Sequence, residues 1–186
     1  MLVALVGAAI AVGCTSGSIV MNSRRSQAGA VPIERLLVLA NLKSQGFSDA
    51  MYQGFSAALV GQLRACHVEP KLFHAEPGND GWASAVTAEA TAFAPSAMLL
   101  IRATGGVLHT RSGVTKAASI VIGLRIDATD TRAELWRAKL VFDVDTGSVW
   151  YDDTASGERL ASLLVDQLRR DGVLDRCPAV APGSAS

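Results

Sequence analysis

Three cysteines, at positions 14, 66 and 177, are the residues whose surroundings most narrow the chemistry open to them. Cys14 follows the uncharged run MLVALVGAAIAVG directly and precedes the polar run Thr15, Ser16, Gly17, Ser18. A bilayer-spanning helix needs about 20 apolar residues, whereas stretches of ~10 to 14 suit the apolar part of an export signal or a buried segment. Small residues must sit ahead of a signal-peptidase cut, and Ala11, Val12 and Gly13 stand there. Residues 1–13 therefore read as a signal segment and Cys14 as a thiol open to modification, against the competing readings of a buried core segment or an uncleaved anchor. In an oxidising compartment the remaining two cysteines make an even number, and a disulfide between Cys66 and Cys177 is expected. Closing so long a loop would remove up to about 4 to 5 kcal/mol of unfolded-state entropy. The competing reading keeps Cys66 as a small buried hydrophobe and Cys177 as a free tail thiol. No metal centre is expected: there is no CxxC, and Cys66 next to His67 is one pair where a structural zinc site needs four ligands.

Other chemically capable side chains are scattered. His67, His74 and His109 fall at strand ends or edges, with no HExxH helix and no carboxylate at ligand spacing. Asp143, Asp145 and Gly147 begin like a calcium loop and Asp152 and Asp153 follow, but Thr154 stands where the bidentate glutamate is needed, so a solvated hairpin turn is expected. No GxSxG elbow occurs, and Thr104, Gly105, Gly106 is followed by no GK[ST]. Neither a catalytic residue nor a cofactor is assigned. Among the aromatics, Trp136 is in phase with an apolar strand face and belongs to the core. Trp150 and Tyr151 are adjacent, so as strand residues they point to opposite faces, and one of the two is a candidate partner contact.

The chain of 186 residues has 17 basic and 17 acidic side chains and is 49% hydrophobic. That length suits one domain of roughly 100 to 200 residues with a core of its own. Zero formal net charge supplies no basic field for nucleic acid, which is excluded as a partner.

The elements that must position these residues follow from hydrophobic period. After a Ser-, Gly- and Arg-containing stretch, 14–32, read as a flexible tether, RLLVLANL (35–42) suits a strand buried on both faces. Ser48 offers an N-cap, and Met51, Phe55, Leu59 and Leu63 recur at four-residue spacing, predicting a helix to about Ala65. A strand over 68–75 is weakened at one end by Pro70, and an alanine-rich helix from Trp82 stops before Pro95. Three strands follow: 98–109, with a bend at Gly105 and Gly106, then the alternating segments around Ile120–Ile126 and Trp136–Val144. Ser156 caps a last helix with Leu160, Leu163, Leu164 and Leu168 on one face, closed by Gly172. The expected fold is a single α/β (α+β) two-layer domain over 33–177, with a mixed sheet of about five strands, an antiparallel meander and two to three covering helices. Residues 178–186 read as a disordered tail.

The run Ala11, Val12, Gly13, Cys14 resembles the lipobox of bacterial lipoprotein signal peptides. That resemblance implies lipidation of Cys14 and attachment to a membrane through the N-terminal lipid. Thr15, in place of aspartate, implies release to the outer membrane, with the domain facing the periplasm. RLLVLANL with the helix after Ser48, the paired alternating strands, TGSVWYDD and ASLLVDQLRRDGVL together resemble the compact amino-terminal domain of TolB and the CsgG-like envelope lipoproteins. The resemblance implies a non-catalytic structural, assembly or accessory component of an envelope or secretion complex, whose partner is another envelope protein or a second copy of itself. The alternative expectation is an envelope hydrolase acting on cell wall or glycan, which requires histidines or carboxylates converging in a cleft.

Overall fold

The computed structural model describes residues 19–26, 32–42, 47–74, 81–111, 114–145 and 154–177. Its elements in chain order are β1 (Ile19–Arg25), β2 (Arg35–Asn41), α1 (Asp49–Ala65), β3 (Glu69–His74), α2 (Trp82–Phe93), β4 (Ala97–Arg111), β5 (Val114–Ala128), β6 (Glu134–Asp145) and α3 (Thr154–Arg170). The expected mixed sheet with covering helices is found. Its six strands lie in the order β1-β6-β5-β4-β2-β3, with β2 parallel to β3 and β4 and the other pairings antiparallel.

The crossovers explain the layers. From β2 the chain passes through α1 to β3 on one side, then through α2 to β4 on the other. Crossovers of one hand that travel in opposite directions put their helices on opposite faces. Leu36, Val38 and Ala40 of β2 accordingly join the main core with Met51, Phe55, Leu59 and Leu63 of α1 and Leu160, Leu164 and Leu168 of α3. Leu37 and Leu39 turn the other way, against Phe93 of α2. Because β2 is buried on both faces it has no alternation to show, which is why RLLVLANL reads as an unbroken apolar run.

Local chemistry sets the helix ends. The Ser48 hydroxyl accepts the Met51 N–H at 3.2 Å, capping α1. At its far end the Val68 N–H donates to the Leu63 carbonyl at 3.0 Å and the His67 N–H to Arg64 at 2.9 Å. That is a Schellman ending, with His67 at φ 58° in the left-handed position usually given to glycine. α3 closes in the same way, with Gly172 at φ 66° and the Val173 N–H on the Leu168 carbonyl at 2.8 Å. Both valines that follow these turns are buried, so the two helices stop at the core rather than in solvent.

One correction concerns the amino-terminal stretch. The segment 14–32, expected to be a tether throughout, contains β1, which pairs with β6 from Ile19↔Phe142 to Arg25↔Trp136. The sheet therefore has six strands where about five were expected. The inward side of β1 meets the polar flank of α3, where Gln167 Nε2 donates to the Ser23 hydroxyl at 2.8 Å and Arg25 donates to the Asp171 carbonyl at 3.4 Å. Such a strand carries no hydrophobic period to betray it. Residues 1–13 with Cys14, the segment 146–153 with Trp150 and Tyr151, and the tail 178–186 lie outside the described residues.

The bend expected at the glycine pair is a register shift in β4 between Ala103 and Gly105. Trp136 is fully buried, and its indole N–H donates to Asp171 Oδ2 at 2.7 Å, which supplies the partner a buried indole needs. No helix among the described residues is long and apolar enough to cross a membrane.

Candidate functional site

The structure bonds Cys66 Sγ to Cys177 Sγ, joining residues 111 apart in sequence. Cys66 sits in the turn that ends α1, and Cys177 follows the turn that ends α3. Because α1 and α3 pack side by side over the same face of the sheet, their carboxyl ends arrive together, and the bond ties the two ends. Cys66 is buried and Cys177 half-buried.

Neither His67 nor His74 is among the residues that line the depression described below. His67 is an exposed helix-terminal residue, and His74 lies at the end of β3 with its ring edge-on to Tyr52, centroids 5.3 Å apart. His109 belongs to β4. Among the described residues no group of three or more His, Cys, Asp and Glu is arranged to hold a metal. A shallow open depression is lined by Ala94, Pro95, Ser96, Thr129 and Asp130, and no histidine is among them. A cleft with converging acid and base groups, which the hydrolase alternative requires, is not formed by these residues.

What the topology does assemble is a charged face. α2 covers only the β3-β2-β4 corner on its side of the sheet, leaving the same side of β5, β6 and β1 uncovered by any described helix. Registers Arg24↔Arg137 and Arg125↔Arg137 set three arginines in a row across β1, β6 and β5. The next row holds Asn22, Lys139, Gly123 and Arg102, and the third Val20, Val141 and Val121. Side chains two apart on a strand share a face about 7 Å apart, and neighbouring strands lie about 4.8 Å apart, so these residues form one continuous surface. Arg24, Arg102, Arg125, Arg137 and Lys139 are exposed, and Val20 is 49% exposed.

Carboxylates temper this face: Asp127 and Glu134 lie on it, and Asp143 and Asp145 continue the alternate positions of β6 that hold Arg137 and Lys139. Arg125 Nε lies 2.7 Å from Asp127 Oδ1 and 3.8 Å from Glu134 Oε2, while Arg137 donates to both oxygens of Glu134. The hydrogen bond from Arg137 holds the Glu134 carboxyl below the usual carboxylate range. Partial burial acts the other way, and the charges of Arg137, Arg125 and Arg24 add to the lowering. Glu134 in turn pushes the Arg137 guanidinium up. A carboxyl lowered on folding stabilises the fold above its unfolded pKa of about 4.3, and loses that contribution as pH falls through its folded value. The stability difference between the native chain and Glu134→Gln should therefore be constant at neutral pH and shrink below the ordinary glutamate range. Urea unfolding of both chains over a pH series checks this, and a difference that grew on acidification would refute it.

No protein-family profile and no curated protein matches the chain. Among solved structures, the PelC dodecamer from Paraburkholderia phytofirmans is 11% identical with a TM-score of 0.45, covering 86% of this chain and 100% of that one. Lipoprotein GNA1162 from Neisseria meningitidis is 15% identical with a TM-score of 0.44, covering 73% and 98%. A minor lipoprotein from Acinetobacter baumannii is 11% identical with a TM-score of 0.34, covering 74% and 94%. No family is assigned at these values. The site therefore stands on its own geometry, a disulfide at one end of the helical layer and a charged face on the opposite side of the sheet.

The charged face was missed in the sequence because its members come from four strands. Arg125, Arg137 and Lys139 do show as the outward positions of alternating segments, but nothing in the linear order puts them beside Arg24 and Arg102.

Proposed function

We propose that this chain is a lipid-anchored envelope lipoprotein, held at the outer membrane and facing the periplasm. On this reading it serves without catalysis as a structural, assembly or accessory component of an envelope or secretion complex. The observation that carries the reading is the disulfide between Cys66 and Cys177. Such bonds persist in oxidising compartments and are rare in the cytosol, so the bond supports export. It also uses two of the three cysteines and leaves Cys14, the one behind the apolar run, for acylation. A single acyl chain binds a membrane only marginally, at about 0.8 kcal/mol per buried CH₂, so a stable anchor on Cys14 carries more than one chain. Thr15 in place of aspartate supports the outer membrane as destination, and the likeness in element order to the TolB and CsgG-like domains agrees with an accessory role. Its partner is another envelope protein or a second copy of the chain.

Cells supplied with a clickable fatty acid should label the wild-type protein at Cys14 and leave Cys14→Ser unlabelled, with the labelled form in the outer-membrane fraction. Label retained on Cys14→Ser would falsify the anchor assignment.

A further inference from the structure

On the side of the sheet that no described helix covers, the alternate positions of β6 read Arg137, Lys139, Val141, Asp143, Asp145. Charges of opposite sign thus stand at equal distances on either side of Val141. The neighbouring strands extend the valine into a row, with Val20 of β1 and Val121 of β5 paired to Val141. They also keep the signs apart. Arg24, Arg102 and Arg125 all lie on the Lys139 side of that row, while Ser119 and Ala117 pair with Asp143 and Asp145. Asp127 and Glu134 share the basic side, where Arg125 and Arg137 take them up. We infer that this sheet face docks on the same face of a second copy of the chain, related by a two-fold axis that crosses the strands along the row of Val20, Val141 and Val121. The inference rests on the part of the proposed function that gives the chain a second copy as partner, and on no other part of it.

Charge order selects both the occupant and its orientation. With cations gathered at one end and Asp143 and Asp145 at the other, the face offers a partner of either sign no uniform field. A two-fold axis across the strands turns one copy end for end. Val141 then meets Val141, Lys139 meets Asp143 and Arg137 meets Asp145, and symmetry forms each charge pair twice. An axis along the strands would set Lys139 against Lys139 and Asp143 against Asp143, which is repulsive. Within one copy Lys139 and Asp143 are about 13 Å apart along the strand. Lys139 forms no ion pair with any described residue. Packed sheets lie about 10 Å apart and cross at about 30°, which shifts Lys139 sideways from Asp143 of the second copy by about 4 Å, within a lysine's reach. The apolar row has surface left to bury, since Val20 is 49% exposed and Val121 and Val141 are half-buried. The area over β1, β6, β5 and the near part of β4 is roughly 500 to 600 Å² per copy, at the low end for specific interfaces, so the dimer is weak and reversible.

The test uses the full chain carrying Cys14→Ser, so that no lipid is attached, in sedimentation equilibrium over a concentration series. This parent should dimerise with a Kd of about 1 to 100 μM that rises with salt. Lys139→Asp sets carboxylate against carboxylate across the axis, and Asp143→Lys sets ammonium against ammonium. Either should weaken the dimer about tenfold or more, because two attractions become two repulsions. Both changes in one chain restore the complementarity and should return the parent's Kd. An equimolar mixture of the two single variants should form a heterodimer of parental strength, although neither associates with itself. Association through residues 1–13 would not follow this pattern of loss and rescue. Arg64→Asp, an equal change of charge at an exposed position of α1, should leave the Kd where it was. Circular dichroism of each variant confirms that the fold is retained. A parent that shows no dimer at about 300 μM overturns the inference and leaves the face to an unlike protein. So does a dimer that ignores both single reversals, or a loss that neither the double reversal nor mixing repairs. Absence of fatty-acid label on Cys14 in cells would sink the anchor without touching the dimer, and a monomeric parent would leave the anchor standing.

Discussion

Gly157→Ala should cost the protein about 3 kcal/mol or more, although alanine is the better helix former by about 1 kcal/mol. A Cβ built at Gly157 of α3 would collide with the Met51 carbonyl oxygen and come within 2.6 Å of the Phe55 amide nitrogen. Both are backbone atoms of α1. Gly54 of α1 faces the Thr154 backbone in the same way, so the two helices touch where each has no side chain. No rotamer change can make room. The helices must separate, and Phe55, Leu59, Leu160 and Leu164, all buried between them and the sheet, would lose contact together. Gly61 provides the comparison within the same layer, because a Cβ there meets nothing within 4 Å. Gly61→Ala should stabilise the protein by about 0.5 to 1 kcal/mol. Urea unfolding of the two variants should thus move in opposite directions from the parent. A Gly157→Ala midpoint at or above the parent's would mean that the close approach of α1 and α3 is wrong.

Reducing the disulfide, or replacing it with the pair Cys66→Ala and Cys177→Ala, should cost about 2 to 5 kcal/mol. The bond closes a loop of 111 residues that contains most of the sheet, so the unfolded chain gains much conformational freedom when it is cut. It also removes a staple between the ends of α1 and α3, the two helices that cover the main core. Against a typical domain stability of 5 to 15 kcal/mol, a loss of this size leaves a protein that still folds but melts many degrees lower. Denaturant unfolding with and without reductant measures it. A change below about 0.5 kcal/mol would show that the loop is already held closed by other contacts in the unfolded state.

Where a residue's environment is local, the sequence was sufficient to place it. Ser48 announces the start of α1 because an N-cap needs only its own hydroxyl and an amide three residues on. The alternation running to Ile126 announces β5 because Ile122, Leu124 and Ile126 meet the core while Arg125 between them is exposed. Legibility ended where the partner is distant. β1 was read as tether because two of its inward residues, Ser23 and Arg25, are polar and find their partners on the flank of α3, leaving only Met21 against the core. The helix contact at Gly54 and Gly157 was invisible for the same reason, since a glycine inside a helix looks like a defect until the opposing backbone is known. The cysteine count raised a bond between Cys66 and Cys177 as an expectation, but only the side-by-side packing of α1 and α3 brings the two sulfurs together. The charged face needed three strand registers before its five cations became neighbours.

β1 also decides how the molecule tolerates being shortened. A version cut at Ile33, the natural-looking start of the domain, would lose seven residues of pairing and leave β6 as the outer strand. β6 runs for twelve residues, without proline. A long unpaired ladder of that kind is a template for strand addition between molecules, whereas β1 is short and ends in two arginines. Residues 19–25 thus act as a guard against aggregation, closing an edge of the sheet that would otherwise be open to other molecules.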